Sequence, residues 1–243
     1  MVTIGQLTKA TAHALRINEA TATVFARNLR DAGLLTTGGR GPSAAQMTPR
    51  DVARLWLSFL AVDRSEPRRA VDGVLFYAGL PYAGIDRDSP RPKRNQLNFI
   101  RDFDLADEHT FEDALSRLIE AREGSSKYKD VLEKHSWGSP IRMLPVLRVD
   151  VGDTFFDARI VFDGITYLYS DARALIAVME GRNPGTDLRG QILRRFMTER
   201  GPGEGVGLRT TRGFAWPEID SLREHLRILQ QEARNPASKK KRD

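Results

Sequence analysis

Thr23, Arg27 and Arg30 are the residues of this 243-residue chain whose types and spacing suit a recognition chemistry. Steps of four and three bring all three to one side of a helix. A guanidinium is a planar fork of donors that fits a phosphate, or the acceptor edge of guanine, through two parallel bonds. Threonine adds a hydroxyl and a methyl. Arg16 and Thr21 stand near the start of the same segment, suited to phosphates. Arg40 lies between Gly39 and Gly41, which have no side chains to obstruct its approach to a minor groove or a backbone. The chemistry is reversible contact with double-stranded DNA.

Bond-making chemistry finds no comparable constellation. His13, His109, His135 and His225 are far apart and never adopt a zinc-ligand spacing. His135, in Lys-His-Ser-Trp-Gly-Ser-Pro, reads as a structural histidine. Asp102, Asp104 and Asp107 lack the glycine and distal glutamate of a calcium loop. The glycine-rich stretch 200–213 has no Gly-Lys-Ser/Thr ending, so it reads as a mobile loop rather than a phosphate cradle. Asp150, Asp153, Asp157 and Asp163 alternate with arginines, and pairing across strands accounts for Asp150 and Asp157 better than a nuclease centre does. The sequence therefore predicts no enzyme, no metal and no cofactor. With zero cysteines it has no disulfide, thiolate ligand or cysteine nucleophile, which fits a cytoplasmic protein.

The elements that must hold the recognition residues are legible in the first sixty positions. Asn18 caps a helix running to Ala32, with Val24, Phe25, Asn28, Leu29 and Ala32 on one side and Thr23, Arg27, Arg30 and Asp31 opposite. Gly33 stops it and Leu34-Leu35 return to a core. Ahead, Thr3 caps a helix burying Ile4, Leu7, Ala10 or Thr11, and Leu15. Behind, the glycine-rich loop 36–42 leads to Thr48-Pro49-Arg50-Asp51, the start of a third helix with a Val52, Leu55, Trp56, Phe59 and Leu60 stripe.

In the Val2–Thr11 opening, in Arg-Asn-Leu-Arg-Asp-Ala-Gly-Leu-Leu at 27–35 and in Met-Thr-Pro-Arg-Asp-Val at 47–52, the chain resembles a winged helix-turn-helix of the mercury-resistance-regulator (MerR) type. The resemblance covers residues 2–60. It implies that 18–32 is a recognition helix, with Thr23, Arg27 and Arg30 toward base edges, Arg16 and Thr21 near phosphates and Arg40 on the wing. Charge agrees with it: residues 1–61 hold seven Lys/Arg against three Asp/Glu, a balance of +4, and the whole chain carries +6.

Residues 63–96 read as a connecting region, helical through Val71, Val74, Leu75 and Tyr77 and then an exposed, proline-containing linker with a basic cluster at Arg91, Lys93 and Arg94. Residues 97–234 read as an α+β unit for self-association or partner binding. In it, Thr110 caps a helix with Phe111, Leu115, Leu118 and Ile119 on one face. Segments 144–170 form a three-stranded antiparallel meander, turned by Asp163-Gly164 and more loosely by Gly152-Asp153, that buries Leu147, Val149, Val151, Phe156, Ala158, Ile160 and Phe162. A helix over 171–180 packs on it, and another follows over 188–199. A last helix from Trp216-Pro217 carries Ile219, Leu222, Leu226 and Leu229, which must dock on their own domain or on a second copy. Residues 235–243 read as a disordered basic tail. No apolar run approaches the about 18 residues of a membrane span.

Taken together, the sequence predicts an α+β protein with a winged helix-turn-helix at 1–62. Its function reads as DNA binding in transcription regulation, most simply as a dimer. A phage-type DNA-packaging adaptor resembling small terminase subunits, and a protein–protein interaction module, are the alternatives.

Overall fold

The computed structural model describes residues 2–38, 45–92, 98–122, 147–152, 157–180, 190–192, 194–195 and 211–234. Helices α1 (Ile4–Ala14), α2 (Glu19–Asp31), α3 (Pro49–Ala61) and α4 (Ala70–Ala78) come first, with a 3-10 turn, Pro67–Arg69, immediately before α4. Then follow β1 (Tyr82–Ile85), α5 (Phe99–Asp102), α6 (Phe111–Arg122), β2 (Leu147–Gly152), β3 (Asp157–Phe162), β4 (Ile165–Tyr169), α7 (Ala172–Met179), β5 (Thr211–Ala215) and α8 (Trp216–Arg234). The protein is α+β.

The helices start where their caps dictate. Thr3 and Thr48 each close a capping box, with Gln6 and Asp51 as the reciprocal side chains. Asn18 Oδ1 accepts from the Ala20 amide at 2.8 Å, and Thr110 and Asp113 exchange the same kind of bonds at the start of α6.

The five strands form one antiparallel sheet in the order β1-β4-β3-β2-β5. Its centre is the predicted meander, and the β3–β4 hairpin turns at Asp163 (φ 52°) and Gly164 (φ 78°), as a two-residue turn of this hand requires. Leu147, Val149, Val151, Ala158, Ile160 and Phe162 are buried on one face. Phe156 and Asp153 lie outside the described residues. Aromatic rings close this face: Phe99 meets Phe162 and Tyr167, Phe103 meets Phe162, and Phe111 meets Tyr169, at centroid separations of 5.1–5.7 Å.

Two edge strands go beyond the sequence reading. Residues 82–85, predicted as part of an exposed linker, pair with β4, flanked by bonds from Ser170 N–H to Pro81 O (3.2 Å) and from Asp86 N–H to Thr166 O (2.9 Å). Residues 211–215 pair with β2 at the far edge, so the loop predicted over 200–213 ends in a strand. On the polar face Arg148 donates to Asp150 and Arg159 to Asp157, each at 2.8 Å. These partners are two residues apart on one strand, where pairing across strands was expected. Asp150 and Arg159 do sit opposite each other in the register.

Helix α8 docks on its own chain. Ile219, Leu222 and Leu226 are buried, α8 packs along α1, Gln6 Nε2 donates to Leu229 O (3.3 Å), and the His13 and His225 rings stack at 4.6 Å. One apolar cluster runs from α1 through α3 and α6 to the sheet and α8.

Between α2 and α3 no strand occurs among the described residues, so the paired strands of a wing are not seen there. The physical reason lies in Asp51. Its buried carboxylate accepts from Thr36 N–H (2.7 Å) and Oγ1–H (2.9 Å) and from Thr48 N–H (2.7 Å) and Oγ1–H (2.8 Å), while Met47 N–H reaches Val2 O at 2.8 Å. Both ends of the segment are hydrogen-bonded to the helical frame. Residues 39–44, Arg40 included, lie outside the described residues, as does the tail 235–243.

Candidate nucleic-acid interface

The first two helices are joined by only four residues, Leu15–Asn18. Arg16 makes this possible by adopting φ 51°, so that Ile17 N–H returns to Ala12 O (2.9 Å) and Arg16 N–H to His13 O (3.3 Å). The same closure ends α2: Gly33 has φ 72°, Leu34 N–H bonds Leu29 O and Gly33 N–H bonds Arg30 O, both at 2.9 Å. Behind α2, Ala22, Phe25, Ala26 and Leu29 are buried, and Phe25 stacks on Phe59 of α3 at 4.4 Å. Trp56 Nε1–H donates to Thr11 Oγ1 at 3.2 Å, tying α3 to α1 through a buried polar contact. The helix that carries Thr23, Arg27 and Arg30 is thus packed against α1 and α3.

Its outer side is a ridge. The Arg27 side chain is 73 % exposed and that of Arg30 46 %. Thr23 is exposed, but its hydroxyl donates back to Glu19 O at 2.8 Å, which leaves it an acceptor and a methyl to offer. Arg16 is exposed at the turn and Thr21 is half-buried at the edge of the helix. Val24, expected on the buried side, is 44 % exposed and belongs to this ridge; Ala32, expected there too, is also exposed. The covered arc of α2 is centred on Phe25 and Leu29, and Val24 falls one helical step outside it. Arg27 at i+3 and Asp31 at i+7, both exposed, lie on its side of the helix and were the available signal. Asn28 is half-buried and donates through Nδ2 to Pro67 O at 2.8 Å.

The ridge is net cationic. Arg27 (3.7 Å) and Arg30 (3.3 Å) share one carboxylate, Asp31, and Lys9 faces Glu19 at 4.0 Å. Exposed pairs of this kind are worth about 0–1 kcal/mol, so a phosphate or base edge can displace them at small cost.

No protein-family model, curated protein or solved structure matches this chain. A second polar region lies beside α6. An open cavity of about 370 Å³ beside α6 is lined by Arg50, His109, Asp113, Ser116 and Arg117 among others. Its cations are spoken for: Arg50 pairs with Glu112 (3.5 Å) and Asp113 (3.2 Å), and Arg117 with Glu120 (2.8 Å). His109 is 4 % exposed, donates from Nδ1 to Ala106 O (2.6 Å) and accepts at Nε2 from the Tyr169 hydroxyl (2.9 Å). Burial pushes the imidazole below its ordinary value and the tyrosine well above its own, so both stay neutral and hold the sheet to the loop before α6. Among the described residues no group of three or more His, Asp or Glu side chains can hold a metal ion, and no helix is long and apolar enough to cross a membrane.

Proposed function

We propose that this chain is a DNA-binding protein that reads duplex DNA through α2 and acts in transcription regulation, with α1, α2 and α3 as the frame of a winged helix-turn-helix and the loop around Arg40 as its wing. The observation that carries this reading is the exposed ridge of Thr23, Val24, Arg27 and Arg30 on a helix fixed from behind by Phe25, Leu29 and Asn28. Such a ridge has the breadth of a single helix, and the major groove, about 12 Å wide, admits one. Arg27 and Arg30 take guanine edges, each good pair discriminating by about 1–3 kcal/mol, while Arg16, Thr21 and Arg40 take phosphates. A dimer places two such ridges on successive turns of a palindromic site.

Selection of a binding site from a random duplex library, followed by titration of Arg27→Ala and Arg30→Ala, tests the reading. Each variant should lose preference for its base pair while unfolding at the wild-type temperature. Retention of both affinity and ranking by the two variants would sink the groove assignment. Light scattering adds the assembly: a dimer accords with a regulator, whereas a ring of many subunits moves the role to DNA packaging.

A further inference from the structure

The turn between α3 and α4, Asp63–Arg69, was expected to be part of a connecting region, and it is built against α2. Asn28 on α2 donates to Pro67 O at 2.8 Å, and the 3-10 turn packs on the helix beside it. The turn is internally fixed. Ser65 donates its amide (2.9 Å) and hydroxyl (2.7 Å) to Asp63 Oδ1, Glu66 N–H bonds Asp63 O (3.0 Å), and Arg69 N–H bonds Glu66 O (3.0 Å). Arg69 also pairs with the Glu66 carboxylate at 3.0 Å. Both acids of the segment are thereby engaged in shaping it. Arg64 and Arg68 remain exposed, with no ion pair among the described residues.

We infer that Arg64 and Arg68 form a second, sequence-neutral contact to the phosphate backbone flanking the groove occupied by α2. The inference rests on the DNA-binding reading of α2. Asn28 lies between Arg27 and Arg30 in sequence and on the shoulder of the helix rather than its crest, so the turn it holds flanks the ridge. A helix seated in a major groove has a phosphate strand along each shoulder, and cations there fix its register without reading bases. Guanidinium groups on a turn already ordered by Pro67, Asp63 and Glu66 lose little further backbone freedom on contact. Charge complementarity thus selects a polyanionic backbone as the occupant of this shoulder.

The test is fluorescence titration of a labelled mixed-sequence duplex with full-length protein across about 50–200 mM salt. Removing two phosphate contacts should lower the slope of log affinity against log salt by about 1.8, so Arg64→Gln/Arg68→Gln should show that drop, with the unfolding temperature unchanged. It should weaken all sequences alike, whereas Arg27→Ala reorders them. The double lysine variant, which keeps the charge, should keep the slope. An unchanged slope in the glutamine variant, with the wild type binding normally, overturns the shoulder contact alone. Absence of any salt-dependent binding by the wild type overturns this inference and the reading of α2 together.

Discussion

Asp51 Oδ1 accepts the backbone N–H of Thr36 at 2.7 Å, fastening the chain just after α2 to the first turn of α3. The same buried carboxylate caps α3 through Thr48, so one side chain joins the end of α2, the segment behind it and α3. Loss of this group leaves several donors unsatisfied at once. Asp51→Ala should destabilise the protein by about 2–3 kcal/mol, read by urea denaturation, and Asp51→Asn should lie between it and the wild type.

Arg16 separates a backbone effect from a binding effect. At φ 51° a side chain is strained where glycine is not, while glycine also frees the unfolded chain. Arg16→Gly should therefore change stability by between zero and about +1 kcal/mol. As a phosphate contact Arg16 should also contribute about 0.9 to the salt slope, which the glycine variant loses. A destabilised variant with unchanged slope would contradict both halves.

Val24 on the crest of α2 gives a further handle on specificity. An exposed valine in a major groove meets the thymine methyl, worth about 0.8 kcal/mol for one buried carbon. Replacing thymine by uracil at the contacted position of the selected site should weaken the wild type by that amount and leave Val24→Ala indifferent. Alanine being the better helix former, Val24→Ala should not lower stability.

His109 sets a pH dependence with a defined sign. Burial lowers its folded-state value below the ordinary 6.5, so unfolding takes up a proton in the interval between the two. Its contribution to stability is complete above about pH 6.5 and drains as pH falls from there through the lowered folded value. Urea midpoints measured from pH 7.5 to pH 5 should decline, and His109→Gln, less stable throughout, should show a shallower decline.

Features governed by neighbours a few residues apart were legible in the chain before folding. Thr3, Asn18, Thr48 and Thr110 satisfy amides within their own first turns, Gly33 ends α2 within two residues, and Asp163-Gly164 turns a hairpin on its own backbone angles. Alternation alone placed Leu147 to Phe162 on one face, because a strand inverts its side chains at every step. The exposure of Arg27 and Arg30 followed from the same local reasoning.

Tertiary structure decided what distant partners control. Val24 faces outward because α1, α3 and the 63–69 turn together cover a narrower arc of α2 than its apolar residues span. Residues 82–85 become a strand only when β4, some eighty positions later, supplies partners for their amides. The last helix lays its apolar seam along α1, distant in sequence, and Asn28 found Pro67 rather than a core. Each of these depends on which surfaces meet after collapse, and hydrophobic burial, being non-directional, does not inscribe that choice in local spacing.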